Sequence, residues 1–130
     1  IDALKSKYDK VDFRQMVFPP FKGLEDNSFD TVISFQVIEH VKEDKLFLEE
    51  IHRVLKPGGI LLLTTPNKLM SLSRNPWHIR EYTPIEMKKI LSNYFPDVDV
   101  QGVFGNDLVM NYYEKNKNDR LCNILNRPGK

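Results

Sequence analysis

Two apolar runs, each ending in polar residues, flank one amphipathic helical stripe. The first run lies within SFDTVISFQVIEHV at residues 28–41, and the second within LKPGGILLLTTPN at residues 55–67. Thr31–Phe35 and Ile60–Thr65 are nearly all apolar or β-branched, the pattern of strands buried on both faces. Between them Phe47, Leu48, Ile51, Val54 and Leu55 recur at helical spacing. A strand, a helix of this length and a second strand make a βαβ unit, with parallel strands and a right-handed crossover. Ligands of open α/β sheets bind at the carboxyl ends of such strands. The expected fold class is therefore α/β, and the residues after Phe35 and Thr65 are the first place to look for a site.

Local signals set the other boundaries. Ile1, Leu4 and Tyr8 suggest the last turns of a helix. A short strand is expected over Val11–Met16, followed by a loop carrying Pro19, Pro20 and Gly23. Lys56-Pro57-Gly58-Gly59 stops the central helix, with Gly58 or Gly59 in the left-handed cap conformation. Residues 66–82 form a long loop, and loops of that length in compact domains tend to be functional. Thr83-Pro84-Ile85-Glu86 starts another helix. Thr83 is its N-cap, Pro84 takes the first turn and Glu86 completes a capping box, while Tyr82 and Met87 are spaced as a hydrophobic staple. That helix is expected to reach about Tyr94. Asp97–Val103 alternates as a strand with one wetter face, and a small helix is expected near Leu121–Leu125. Residues 1–105 are expected to form one unit and 106–130 a partly helical tail.

Composition narrows the function classes. The chain has 130 residues, 41% apolar and 28% charged, enough for one core. Nineteen basic and eighteen acidic residues are interspersed, so no net field points to nucleic acid or to a membrane surface. No apolar run approaches the ~20 residues that span a bilayer. The single Cys122 excludes an internal disulfide, and a reduced, cytoplasmic setting is expected. Three dispersed histidines have no metal-ligand spacing, so no metal site is expected. Residue 1 is Ile, so the chain is expected to start inside a longer product.

SFDTVISFQVIEHV, EEIHRVLKPGGILLLTTPN and the later NPWHIREYTP together resemble the class I S-adenosylmethionine (SAM)-dependent methyltransferases. Within them the small-molecule branch that includes the ubiquinone-biosynthesis O-methyltransferases is the nearest likeness, over residues 1–105. The resemblance implies a partial Rossmann-like sheet, SAM as cofactor and a small-molecule methyl acceptor. It implies that Phe35, Gln36 and Val37 line the methionine and sulfonium part of SAM and that His40 lies near the pocket. Gln15 or Met16 falls where the family usually carries an acidic contact to adenine, and Gln15 retains an amide oxygen as acceptor. Asn67, Arg80 and Tyr82 face the substrate side, and His78 is the candidate base for the acceptor.

The family's glycine-rich turn and its ribose-binding acidic residue are not in these 130 residues. Gly58-Gly59 precedes a strand instead of following one and cannot stand in for the turn. Without the upstream strands, Thr31–Phe35 presents an open edge, which an oligomer is expected to cover. Two other readings fit the residues less fully. One is a methyltransferase-like interaction module that does not bind SAM alone; the other is a nicotinamide-dependent Rossmann protein.

Overall fold

The computed structural model describes residues 2–71 and 75–125. In chain order the elements are α1 (Asp2–Lys5), β1 (Phe29–Phe35), a 3-10 turn (Ile38–His40), α2 (Asp44–Val54), β2 (Leu55–Thr64), α3 (Pro84–Leu91) and α4 (Asp107–Leu125). The chain is α/β, with the βαβ unit at its centre. β1 and β2 pair in parallel, from Thr31 opposite Ile60 to Phe35 opposite Thr64.

The register shifts between Phe29 and Thr31, because Lys56-Pro57-Gly58-Gly59 adds residues on the β2 side. The helix ends at Val54, one residue before the expected Leu55, which is already extended. Gly58 has φ +78°, but it lies within β2 and the C-cap of α2 is Leu55 in extended conformation, so the expected glycine cap is not formed. At Gly59 a Cβ would stand 2.9 Å from the Lys56 carbonyl and 3.1 Å from that of Asp30, so only glycine lets the strands close here.

α2 places Phe47, Leu48 and Ile51 against one face of the sheet, where Val32, Leu61 and Leu63 meet them. α3 adds Met87 and Leu91 to the same cluster, and Tyr82 closes it. Leu48 and Ile51 are fully buried, and each such side chain contributes roughly 1.5–3 kcal/mol by leaving water. The capping box of α3 is complete. Thr83 Oγ1 accepts from the Glu86 amide at 3.2 Å, and Glu86 Oε2 accepts from the Thr83 amide at 2.8 Å. α3 ends at Leu91, short of the expected Tyr94.

Arg53 holds the loop before β1 on α2. Its guanidinium donates to Glu50, to Asp26 and to the Leu24 and Phe21 carbonyls. Glu50 Oε2 also accepts from the Phe21 amide at 2.7 Å.

Two expected strands are absent among the described residues. Val11–Met16 is irregular, with Val11 half exposed. Asp97–Val103 is also irregular, and Val103 is almost fully exposed. A strand is held by its neighbour's ladder, and no described segment pairs with either of these. The sheet thus has two strands. The tail forms one helix from Asp107, much longer than the short one expected near Leu121–Leu125. No helix among the described residues is long and apolar enough to cross a membrane.

Candidate cofactor and acceptor site

The carboxyl end of β1 turns sharply. Gln36 has φ +55°, a conformation that costs a side-chain-bearing residue free energy and clusters at functional sites. Its amide donates to the Thr64 carbonyl at 2.9 Å, and its side-chain amide reaches Thr64 Oγ1 at 3.3 Å. These two bonds tie the end of β1 to the end of β2.

Gln36 lies between two concavities. A cleft of about 420 Å³ is lined by Phe18, Pro19, Gln36, Val37, His40, Val41, Lys42 and Glu43. A groove of about 1300 Å³ runs along β2, with Gln36, Thr64, Thr65, Pro66 and Asn67 at its polar end. Its apolar part includes Met70, Met87, Val109 and Tyr113. Three of the expected cofactor residues, Gln36, Val37 and His40, meet at the cleft, while Phe35 stands half exposed on the adjoining strand end. Gln15 and Met16 are not among the cleft's lining residues and lie in irregular chain.

The substrate-side residues take different positions. Asn67 forms a single parallel bridge with Tyr82 and joins the groove. Tyr82 is buried, and its hydroxyl donates to Asp44 Oδ2 at 2.8 Å. Burial pushes the Tyr82 phenol well above its ordinary range, and the Asp44 carboxylate adds to the shift. Arg80 gives its guanidinium to the same Asp44 oxygen at 2.6 Å. The amides of Ile79 and Arg80 also both point at the Glu39 carbonyl, at 2.8 and 3.3 Å. The 66–82 loop is therefore bolted to the turn after β1 and to the first turn of α2.

His78 has both ring nitrogens engaged. Nδ1 lies 2.6 Å from Glu81 Oε1 and Nε2 lies 2.9 Å from Asn75 Nδ2. The His40 ring packs edge-to-face on it, 4.9 Å between centroids. Beside them sits Glu39, which is fully buried. Glu39, Asp44 and Glu81 were not among the residues the sequence singled out. Glu39 gave one signal: it is an acidic residue in the apolar run from Val37 to Val41, where an unpaired carboxylate is costly.

A parallel βαβ unit with a strained turn between two cavities defines the class as a Rossmann-like α/β protein that binds ligands at its strand ends. Comparison with known proteins narrows the class. A family model described as "Methyltransferase domain" matches residues 1–63. A probable S-adenosylmethionine-dependent methyltransferase of Mycolicibacterium smegmatis is 38% identical over 107 residues, covering 78% of this chain and 41% of that protein. The mitochondrial ubiquinone biosynthesis O-methyltransferase of Dictyostelium discoideum is 44% identical over 43 residues, 33% of this chain and 13% of that protein. A sterol 24-C-methyltransferase of Aspergillus fumigatus is 36% identical over 94 residues, 68% of this chain and 22% of that protein. No solved structure matches. The chain belongs to the class I SAM-dependent methyltransferases. It spans about two fifths of the length of the mycobacterial relatives it matches.

SAM is the cofactor of this family. The residues at the end of β1 suit one part of it. Phe35 and Val37 offer apolar surface to a methylthio chain, and Gln36 offers an amide beside it. The positive φ of Gln36 turns the chain at the strand end while its amide stays bonded to the Thr64 carbonyl.

Proposed function

We propose that the protein of which this chain is part transfers a methyl group from SAM to a small-molecule acceptor across the Gln36 turn. The observation that carries this reading is that Gln36 lines both the small cleft and the larger groove. Bound SAM supplies an electrophilic methyl on its sulfonium. Phe35, Gln36, Val37 and His40 hold its methionine end, and Gln15 or Met16 reaches toward the adenine. Asn67, Arg80 and the loop of His78 and Tyr82 border the acceptor. The work of these residues is positioning, since in-line displacement rewards two reactants held in one geometry. Arg80 acts from a place set by Asp44, and Tyr82 acts as the anchor that keeps the loop there.

S-adenosylhomocysteine titrated by calorimetry into the full-length protein tests this. Gln36→Val puts a β-branched residue at positive φ and is expected to weaken binding about tenfold, from ~1–2 kcal/mol of strain. Gln36→Gly keeps the turn and is expected to stay within about threefold of wild type. Wild-type affinity in both variants would remove the turn from the site. A folded full-length protein that binds no S-adenosylhomocysteine would instead favour a methyltransferase-like interaction module.

A further inference from the structure

The groove along β2 has a wall that the βαβ unit does not supply. α4 brings Val109, Met110 and Tyr113 to it, opposite Met70 of the 66–82 loop and Met87 of α3. These side chains carry no charge and, the Tyr113 hydroxyl aside, no strong hydrogen-bonding group, so the ligand surface they suit is apolar. Thr64, Thr65 and Asn67 make the other end polar.

α4 is fixed at its start and one turn further on. Asn106 Oδ1 accepts from the Val109 amide at 3.1 Å, an N-cap that sets where the helix begins. Gly105 lets the chain turn directly into it, since a Cβ there would stand 2.5 Å from Val109 Cγ1. The Tyr113 hydroxyl then donates to the Leu69 carbonyl at 3.0 Å, tying the helix to the 66–82 loop. The outer side of α4 packs loosely. Leu108 is 79% exposed and Tyr112 is more than half exposed. Residues 97–106, which lead into the helix, form neither helix nor strand. A neutral hydrogen bond holds the latched position over an open one by about fivefold. The helix can therefore move aside for a ligand and close behind it.

We propose that Tyr113 is a specificity-determining residue, which latches α4 over the groove and sets how long an apolar body the methyl acceptor can carry. This rests on the reading of the groove as the acceptor side. The hydroxyl fixes the spacing of helix and loop, and the ring fills the groove beside Met70, the residue after the latch carbonyl. The acceptor class is an uncharged molecule with a hydroxyl or amine at one end and an apolar body at the other. The polar end meets Thr65 and Asn67, and the body runs toward Tyr113.

A series of 4-alkylphenols from ethyl to octyl, titrated by calorimetry into the full-length protein, tests the proposal. Affinity is expected to rise about fourfold per methylene and to level off where the chain meets the Tyr113 ring. Tyr113→Ala is expected to carry the rise on for about two more methylenes. Tyr113→Phe keeps the ring and loses the latch. It is expected to level off at the wild-type length while binding every member about fivefold more weakly. A residue that only stabilised the fold would not separate length from affinity in this way. Leu108→Ala is the control, on the same helix but outside the groove, and is expected to match wild type. A plateau unmoved in Tyr113→Ala, or moved equally in Leu108→Ala, would overturn the proposal. So would folded wild-type protein that binds S-adenosylhomocysteine and no alkylphenol. The expected alkylphenol series without S-adenosylhomocysteine binding would support the latch and remove the SAM reading instead. Circular dichroism checks folding, and Tyr113→Phe keeps the result interpretable if Tyr113→Ala does not fold.

Discussion

The two faces of the β1–β2 sheet are made by the same strands and have opposite fates. On one face Val32, Leu61 and Leu63 meet α2 and α3. On the other Ile33 and Phe35 are 60% and 56% exposed, and Ile60 and Leu62 are 58% and 49% exposed. By sequence the faces are equally apolar. The difference lies in what each has to pack against. The covered face has helices brought to it by the crossover and by the Asp44 anchor, whereas no described element covers the open one. A strand's apolar run therefore reports what it can bury, and the elements around it decide what it does bury.

The largest expected effect comes from breaking the covered face. Leu48→Ala in this chain removes a fully buried side chain and is expected to cost about 2–5 kcal/mol, read as a fall in urea midpoint. Ile33→Ser on the open face is expected to stay within about 0.5 kcal/mol of wild type. A comparable loss at Ile33 would mean that this face too is covered in solution.

Next comes the anchor that assigns the 66–82 loop to the covered side. Asp44→Ala leaves the buried Tyr82 hydroxyl without its acceptor and frees Arg80. The expected loss is about 1–3 kcal/mol. Hydrogen exchange sharpens the test, since the Ile79 and Arg80 amides that donate to the Glu39 carbonyl should then exchange faster.

A smaller, pH-dependent effect belongs to the loop before β1. The hydrogen bond from Arg53 holds the Glu50 carboxyl below its ordinary value near 4.5. A carboxyl lowered by folding stabilises the chain above that value. The gain disappears as pH falls from about 4.5 through the lower folded value. Urea midpoints measured from neutral to acid pH should therefore fall less steeply in Glu50→Gln than in wild type.

Much of the centre was legible in the residues. The helical stripe from Phe47 to Val54, the end of the first strand at Phe35 and the capping box at Thr83 all follow from local periodicity and local hydrogen bonding. These need no distant partner to be recognised. Val11–Met16 and Asp97–Val103 carry strand patterns of the same kind, yet stay irregular because a strand depends on a ladder that lies elsewhere in the chain. The site divides in the same way. Gln36, Val37 and His40 stand together in one short motif and line one cleft. The partnership of Asp44 with Arg80 and Tyr82 and the approach of Glu39 to His78 depend on a loop folding back by some forty residues, which no local pattern encodes.

The sequence by itself determined the βαβ unit and the end of its first strand at Phe35, because helical period and β-branched runs are local constraints. Only the tertiary structure decided that Tyr82 is an anchor, that Arg80 is held by Asp44 and that Glu39, His40 and His78 meet. The physical reason is burial. A carboxylate removed from water must find donors or a cation, and which ones it finds depends on how the loop returns to the strand ends.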